Sequence, residues 1–220
     1  CNTMNTLISY GWNQYYQDYY NNLGKTDFEI GRVISIKGFK HILITENGEL
    51  ESELSGKMLY GNDQETLPKV GDWVFFIRYD ILGYIIEVLP RINELYRKTP
   101  GARSDRQVLA TNIDYALVVQ GLDRDFNLMR LDRYLVQLSI CNIKPVVVIN
   151  KVDLIDSIEE YQHNVNKLGR NCPVYFCSTF NQTGIAELKN TVLQSGKTYI
   201  LIGSSGVGKS SLLNSFMEIN

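Results

Sequence analysis

The sequence predicts an α/β protein in which a five-stranded, oligonucleotide-binding-like β-barrel precedes a doubly wound, mostly parallel sheet. Two patterns lead to this prediction. Short strand-like segments bounded by turn residues fill the first part of the chain, whereas apolar strands alternate with amphipathic helices in the second part. The 220 residues are enough for two such domains. The expected organisation is an aromatic-rich extension at residues 1–26, a barrel at 27–92, a basic linker at 93–111 and the sheet domain at 112–220.

The extension carries a helical pattern over residues 4–24 that ends at Gly24. Its apolar and aromatic side chains are Leu7, Tyr10, Trp12, Tyr15, Tyr16, Tyr19 and Tyr20. Rings at this density can stack on nucleic-acid bases. Because no basic residues lie between them, we expect them instead to pack against the rest of the protein.

Five strand patterns predict the barrel: Glu29–Ile36, Phe39–Thr45, Glu49–Leu54, Asp72–Ile77 and Gly83–Leu89. Asn47-Gly48 lies between two of them and is a pair preferred in two-residue hairpin turns. The oligonucleotide-binding fold is the usual five-stranded barrel, and an SH3-like barrel is the alternative. Such barrels often bind nucleic acid, but a fold alone does not establish that use.

A local basic segment spans residues 91–106. Its charged residues are Arg91, Arg97, Lys98, Arg103 and Arg106 against Glu94 and Asp105, a net charge of +3. The segment is either a solvated linker or a surface that contacts RNA. Charge alone favours the solvated linker.

The second domain is predicted to contain strands at Ile113–Gln120, Pro145–Ile149, Val174–Cys177 and Tyr199–Ile202, with helices at Leu128–Ile140, Ile155–Leu168, Ile185–Leu193 and Lys209–Met217. Apolar strands that alternate with helices indicate a parallel sheet covered on both faces. Right-handed crossovers place every strand-to-helix loop at one edge of such a sheet, where ligands bind.

Composition excludes several classes of protein. Hydrophobic residues make up 44% and charged residues 21% of the chain, and no apolar run is long enough to cross a membrane. No export leader is seen, so we expect a cytoplasmic protein with reduced thiols. The net charge of −2 argues against a general polyanion binder. The cysteines and histidines show no zinc-ligand spacing; they are Cys1, Cys141, Cys172, Cys177, His41 and His163.

A phosphate-binding loop is predicted after the last strand. It reads Gly203-Ser204-Ser205-Gly206-Val207-Gly208-Lys209-Ser210, and it joins a strand to a helix, as such loops do. Glycines let the backbone amides approach a phosphate, and the helix N-terminus adds its positive end. We expect Lys209 to reach the β- and γ-phosphates and Ser210 to ligate Mg²⁺. Ser211 is included among the residues expected to bind the nucleotide. The loop alone does not distinguish ATP from GTP.

A base-reading motif is predicted where Asn150-Lys151-Val152-Asp153 follows a buried strand. The carboxylate of Asp153 can accept hydrogen bonds from N1–H and the 2-amino group of guanine, donors that adenine does not offer at those positions. Asn150 can hold neighbouring loops, and the Lys151 stem can lie on the ring face. The alternative is a helix cap made by Asp153, which would leave an ATP-using enzyme.

Ser178 completes the predicted nucleotide site. Cys177-Ser178-Thr179 ends the next strand, where guanine-nucleotide proteins carry a loop whose backbone amide meets the base oxygen. Ser178 matches that loop, whereas Thr179 departs from the usual alanine. An ordinary strand-to-helix turn is the alternative.

The order of these motifs indicates a circularly permuted P-loop GTPase domain, because the base-reading motif precedes the phosphate loop. With Arg91–Lys98, Gln107–Asp114, Leu131–Leu135 and Gly203–Leu212, residues 27–217 closely resemble the ribosome small subunit-dependent GTPase A family (RsgA/YjeQ/EngC). The resemblance implies a cytoplasmic GTPase that uses GTP, GDP and Mg²⁺, and we expect it to be a monomer. It also implies a barrel that touches ribosomal RNA, and action late in maturation of the small ribosomal subunit, which stimulates hydrolysis.

The family also carries switch segments, an Asp-x-x-Gly turn and a zinc-binding domain after the phosphate loop. This sequence stops at Asn220, so we expect those features and the Zn²⁺ ligands to lie beyond it, and we expect poor hydrolysis by residues 1–220 alone. A competing function is a binding module in which the barrel grips RNA and the nucleotide acts only as an affinity switch.

Overall fold

The computed structural model describes residues 4–24, 27–61, 66–98, 106–124 and 126–218. It contains two compact units. One comprises Cys1–Ile113 with Ser195–Thr198, and the other comprises Asp114–Gln194 with Tyr199–Asn220. Within the described residues, no helix is long and apolar enough to cross a membrane.

The first unit contains a closed five-stranded barrel, as predicted. Its strands are β1 (Glu29–Lys37), β2 (Lys40–Thr45), β3 (Gly48–Leu54), β4 (Trp73–Tyr79) and β5 (Leu82–Val88), with a short helix α3 (Gly56–Leu59) after β3. The strand order is β1-β2-β3-β5-β4, and β4 closes onto β1. The pair β3–β5 is parallel and the other pairs are antiparallel. The prediction of an oligonucleotide-binding-like barrel is therefore confirmed.

All five strands contribute apolar side chains to the barrel core. Its buried side chains are Val33, Leu43, Leu50, Val74, Phe76 and Ile85. The predicted hairpin is also present: Thr45 pairs with Gly48, and the Thr45 hydroxyl donates to the Gly48 carbonyl at 2.7 Å. Gly48 adopts a φ of +99°, a conformation that suits glycine.

The extension forms two helices rather than one, α1 (Met4–Ser9) and α2 (Gln14–Asn22). Gly11, with a φ of +104°, separates the two helices. The Asn13 side chain caps α2 by accepting a hydrogen bond from the Tyr16 amide at 3.3 Å. Trp12 and Tyr16 are buried against Trp73 of the barrel, with ring centroids 5.0 and 5.8 Å from its own. For these rings, packing rather than base stacking is confirmed.

Part of the predicted basic linker forms a two-stranded antiparallel ribbon, a structure that the sequence did not predict. Its strands are β6 (Glu94–Lys98) and β7 (Arg106–Thr111). Leu95 and Val108 are buried, so apolar packing makes this part of the chain regular despite its charge.

Arg91 is likewise not a free basic residue. Its guanidinium binds Asp72 through two contacts of 2.8 Å and Glu94 at 3.2 Å. The two carboxylates raise the pKa of Arg91 against the opposing effect of burial. Arg103 and Asp105 lie outside the described residues.

The second unit contains a four-stranded parallel sheet, as predicted. Its elements are β8 (Tyr115–Gly121), α4 (Leu128–Ile140), β9 (Lys144–Asn150), α5 (Glu159–Asn166), β10 (Val174–Phe176), α6 (Ile185–Val192), β11 (Tyr199–Ile202) and α7 (Lys209–Glu218). The strand order is β10-β9-β8-β11. The last strand of this sheet, β11, therefore pairs with its first strand, β8, and the loops that follow all four strands lie at one edge.

One helix is shorter than its periodicity predicts. The pattern over Ile155–Leu168 predicts a single helix, whereas α5 begins only at Glu159 and ends at Asn166. A separate 3₁₀ turn precedes it at Val152–Leu154. Asp156 and Ser157 favour turns and separate the two.

Candidate nucleotide-binding site

Three loops predicted from the sequence meet at the carboxyl edge of the parallel sheet. β9 ends at Asn150 and leads directly into Lys151 and Asp153, the loop after β10 holds Ser178, and the loop after β11 spans residues 203–208. Strand pairing sets this arrangement, because Phe176 of β10 pairs with Ile149 of β9 and Ile202 of β11 pairs with Val118 of β8. The structure thus brings together residues that lie 57 positions apart, because the Asn150 side chain contacts the Val207 carbonyl.

Asn150 joins the three loops through one buried amide. Its Nδ2 donates to the Val207 carbonyl at 3.0 Å and to the Thr179 hydroxyl at 3.4 Å. Its Oδ1 accepts from the Thr179 amide at 3.1 Å. The side chain is enclosed, so these bonds replace contacts with water and fix the loops against one another.

Asp153 and Ser178 form the predicted base-reading corner. The Ser178 hydroxyl donates to Asp153 Oδ1 at 2.6 Å and accepts from the amides of Phe180 and Asn181, each at 3.2 Å. Asp153 itself is exposed. The hydroxyl therefore fixes the orientation of the carboxylate, whose Oδ2 has no hydrogen bond within the described part of the chain.

Glycines shape the predicted phosphate loop. A Cβ at Gly208 would overlap the Asn150 amide, and a Cβ at Gly203 would overlap the Val119 carbonyl. Gly206 and Gly208 also adopt φ values of +82° and +99°. The backbone therefore follows a path that residues with side chains would block, as a cradle for phosphate oxygens requires.

The side chains of the loop divide into packed and available groups. Val207 is buried in the core, so only its backbone can serve a ligand. The Ser204 hydroxyl is buried and has no hydrogen-bond partner among the described residues, an unsatisfied polar group that fits a site for a polar ligand. Ser205 and Gly206 are exposed.

The amino end of α7 supplies the remaining predicted groups. Lys209 folds its ammonium over the loop, donating to the carbonyl of Gly203 and, at 3.4 Å, to that of Ser204. The side chains of Ser210 and Ser211 are exposed in the first turn. The first amide to bond within the helix is that of Leu212, which reaches the Gly208 carbonyl at 2.8 Å, so the preceding amides remain available to an anion.

Lys151 adopts the left-handed conformation, with a φ of +70°. Its ammonium donates to the Gly206 carbonyl at 2.7 Å and forms an ion pair with Asp123, which follows β8. Neither Asp123 nor the part played by Thr179 was predicted from the sequence. No motif marks Asp123, and only the pairing of β8 with β9 brings it to Lys151.

Cys177 directly follows β10 and is not a reactive thiol. It is fully buried, and burial raises the pKa of its thiol to about 12. The thiol is therefore protonated at neutral pH, and its role is to pack in the core.

Within the described residues, no group of three or more His, Cys, Asp or Glu side chains could hold a metal ion. Magnesium in phosphate sites is usually held by few protein ligands together with phosphate oxygens, so this result does not conflict with Ser210 as its ligand. The zinc implied by the family resemblance stays a prediction.

The parallel sheet, the glycine loop that opens a helix and the order of the loops along the chain define the class of circularly permuted GTPases. The family model described as RsgA GTPase matches residues 88–219. The chain therefore belongs to the RsgA GTPase family.

Curated relatives agree with this membership. The chain is 37% identical over 216 residues to small ribosomal subunit biogenesis GTPase RsgA 1 of Bacteroides thetaiotaomicron, covering 97% of this chain and 60% of the relative. It is 35% identical to small ribosomal subunit biogenesis GTPase RsgA of Syntrophotalea carbinolica, covering 93% of this chain and 58% of the relative. The chain thus spans about three fifths of the length of these relatives.

Solved structures show the same fold. The chain matches YjeQ from Thermotoga maritima with a TM-score of 0.68 and 28% identity, covering 88% of this chain and 66% of that one. It matches YloQ, described as a circularly permuted GTPase, with a TM-score of 0.62 and 26% identity, covering 87% and 65% of the two chains.

Proposed function

We propose that the site binds GTP and GDP with Mg²⁺, and that the chain is part of a GTPase that acts in late maturation of the small ribosomal subunit. The observation that carries the proposal is the Asn150 amide. It joins the base-reading loop, the Ser178 loop and the phosphate loop through bonds to Thr179 and Val207. A site that reads guanine and holds phosphates needs these three loops in fixed relation.

Each predicted residue has a role that its position supports. The exposed carboxylate of Asp153 reads the base, oriented by Ser178. The backbone from Ser204 to Gly208 and the free amides of α7 receive the phosphates. Lys209 exchanges its contacts with loop carbonyls for contacts with phosphate oxygens.

Ser210 is the proposed magnesium ligand, supported by its exposed position in the first turn of α7. When bound, the ion neutralises charge on the β- and γ-phosphate oxygens. Ser211 follows on the same turn, where its amide can meet a phosphate.

Competition binding tests nucleotide recognition. A fluorescent GDP analogue is titrated into the chain and displaced with GDP, GTP, ADP or ATP. Because adenine leaves the Asp153 carboxylate unpaired, guanine nucleotides should compete at least about a hundredfold better. Equal competition by adenine nucleotides would support the ATP-using enzyme and contradict guanine recognition.

The link to the small subunit rests on the names of the relatives, small ribosomal subunit biogenesis GTPases. Phosphate release from GTP is measured with and without purified small subunits, using a protein that extends over the full length of these relatives. Stimulated release supports the enzyme. Subunit binding that depends on nucleotide, without stimulated release, supports the binding module instead.

Contact with ribosomal RNA is proposed for the ribbon of β6 and β7. Arg97 and Arg106 are exposed on it, and Arg106 stacks 4.5 Å from the Tyr96 ring centroid. Replacing both arginines with alanine should weaken binding to small-subunit RNA and flatten its dependence on salt by about one unit of slope per lost phosphate contact. An unchanged slope would place the RNA contact elsewhere.

The proposal includes a monomer in the cytoplasm, where ribosomal subunits are assembled.

A further inference from the structure

Asp123 lies two residues after the end of β8, outside every motif that predicted the site. Its carboxylate binds the ammonium of Lys151, which also donates to the Gly206 carbonyl in the phosphate loop at 2.7 Å. Lys151 therefore spans from the loop after β8 to the phosphate loop, and Asp123 anchors one end of that span.

We propose that Asp123 is a positioning residue for the guanine nucleotide, which it affects by holding Lys151 in place. The inference rests on the proposed function, because it assigns Asp123 to the same nucleotide site. It adds a fourth loop, the one after β8, to the three that the sequence predicts.

The path of the Lys151 side chain supports this role. A Cβ at Gly121 would lie 3.3 Å from Lys151 Cδ and 3.1 Å from Asp123 Oδ1, so both side chains pass closely over the end of β8. The left-handed backbone of Lys151 starts the side chain in this direction. The glycine at the strand end thus leaves room for the pair.

The ion pair is partly open to water, with side-chain exposures of 26% for Lys151 and 30% for Asp123. Ion pairs of this kind contribute little to the stability of a fold. A free lysine side chain samples many rotamers, however, and a carboxylate that fixes it before the ligand arrives removes that cost from binding. The pair should therefore affect nucleotide affinity much more than stability.

The test measures GDP affinity and the unfolding temperature of the 220-residue chain and its variants. Asp123→Asn keeps the size of the side chain but removes the charge, and it should weaken GDP binding about tenfold. Asp123→Glu keeps the carboxylate and should recover most of that loss. Both variants should unfold close to the wild-type temperature.

Asp132→Asn is the matched control. It removes an ion pair with Arg170 at 2.7 Å in the same unit. Arg170 precedes β10 and therefore lies toward the amino edge of the sheet, away from the nucleotide loops. This variant should bind GDP as the wild type does.

A double-mutant cycle with Lys151→Met tests the route of the effect. If Asp123 acts through Lys151, adding Asp123→Asn to Lys151→Met should weaken GDP binding no further. Where binding by Lys151→Met is too weak to measure, recovery of GDP affinity in Asp123→Glu shows whether the carboxylate at position 123 is what the nucleotide site requires.

Three results would overturn the inference. They are wild-type affinity in Asp123→Asn, an undiminished loss in the Lys151→Met background, and a loss of folding in both Asp123 variants, which would make the residue structural. A wild-type chain that binds no GDP would remove the proposed function and this inference together. A chain that binds GDP but is insensitive to Asp123 would remove the inference alone.

Discussion

At the scale of single residues, Asn150 uses both atoms of its amide within the protein. Its partners are the Val207 carbonyl and the Thr179 amide and hydroxyl, and only 1% of the residue is exposed. No water can replace these bonds if the side chain is lost. Removing it should leave buried polar groups unpaired on two neighbouring loops.

We therefore expect Asn150→Ala to lower the free energy of unfolding by about 2–3 kcal/mol and the affinity for GDP by more than about tenfold. Chemical denaturation and GDP titration measure the two effects. Asn190→Ala, at an exposed position of α6, is the control and should leave both close to wild type. Unchanged GDP affinity in Asn150→Ala would show that the loops hold their relation without it.

His41 is buried in β2, where its Nδ1 lies 3.2 Å from the Phe39 carbonyl. Burial lowers the pKa of the imidazole, and the hydrogen bond to Phe39 opposes part of that effect. The folded protein thus keeps His41 neutral at a pH where the unfolded chain binds a proton.

This difference predicts a loss of stability in acid. As the pH falls below about 6.5, the unfolded state takes up a proton before the folded state does, so the free energy of unfolding decreases by at most about 1.4 kcal/mol per pH unit from this group. His41→Gln should lose less stability than wild type between pH 7 and pH 5, measured by urea denaturation. His163→Gln changes an exposed histidine and should retain the wild-type loss. Parallel curves for all three proteins would contradict the role of His41.

Site residues were predictable where local sequence carries a motif. Asn150, Asp153 and Gly208 belong to short motifs, each of which follows a single strand and forms a single turn. Such motifs can be recognised from the sequence alone. Asp123 is a single carboxylate 28 positions before Lys151, and only the pairing of two strands joins them. Sequence patterns do not contain that information.

At the scale of elements, α2 is part of the core of its unit. Tyr16 is fully buried against Trp73, whereas the neighbouring Tyr15 is about half exposed. Tyr16→Ala should lower the free energy of unfolding by about 3–5 kcal/mol, because it leaves a large cavity. Tyr15→Ala should cost less than about 1 kcal/mol. Equal effects of the two changes in chemical denaturation would contradict this packing.

Most strands and helices were predictable because the helices carry a periodic apolar pattern and the parallel strands are short, continuous apolar runs. Tyr199–Ile202 and Leu128–Ile140 have the predicted bounds, and the barrel strands differ by one or two residues at their ends. The ribbon of β6 and β7 was missed because its charges suggested a solvated linker, while its few apolar residues pair across two short strands. The domain boundaries drawn from the sequence stay predictions.

At the scale of the whole molecule, the order of the loops along the chain differs from their arrangement in space. The loops after β9, β10 and β11 follow one another in sequence. In the sheet, however, β10 and β11 are the two outer strands, with β9 and β8 between them. A parallel sheet gathers its loops at one edge whatever the order of the strands. The permuted order therefore keeps the three predicted loops of the proposed nucleotide site at the same edge.

The central claim is that Asp153 reads guanine, and a change of base specificity tests it most directly. Ser178 donates to Asp153 Oδ1, so Asp153→Asn can keep that bond and present an amide N–H in place of Oδ2. Xanthine carries a carbonyl where guanine carries its 2-amino group, and this carbonyl can accept a hydrogen bond from the asparagine N–H. We predict that Asp153→Asn weakens GDP binding by about a hundredfold and makes xanthosine diphosphate the tighter ligand. Unchanged preference for GDP in this variant, measured by competition under the same conditions, would contradict the account.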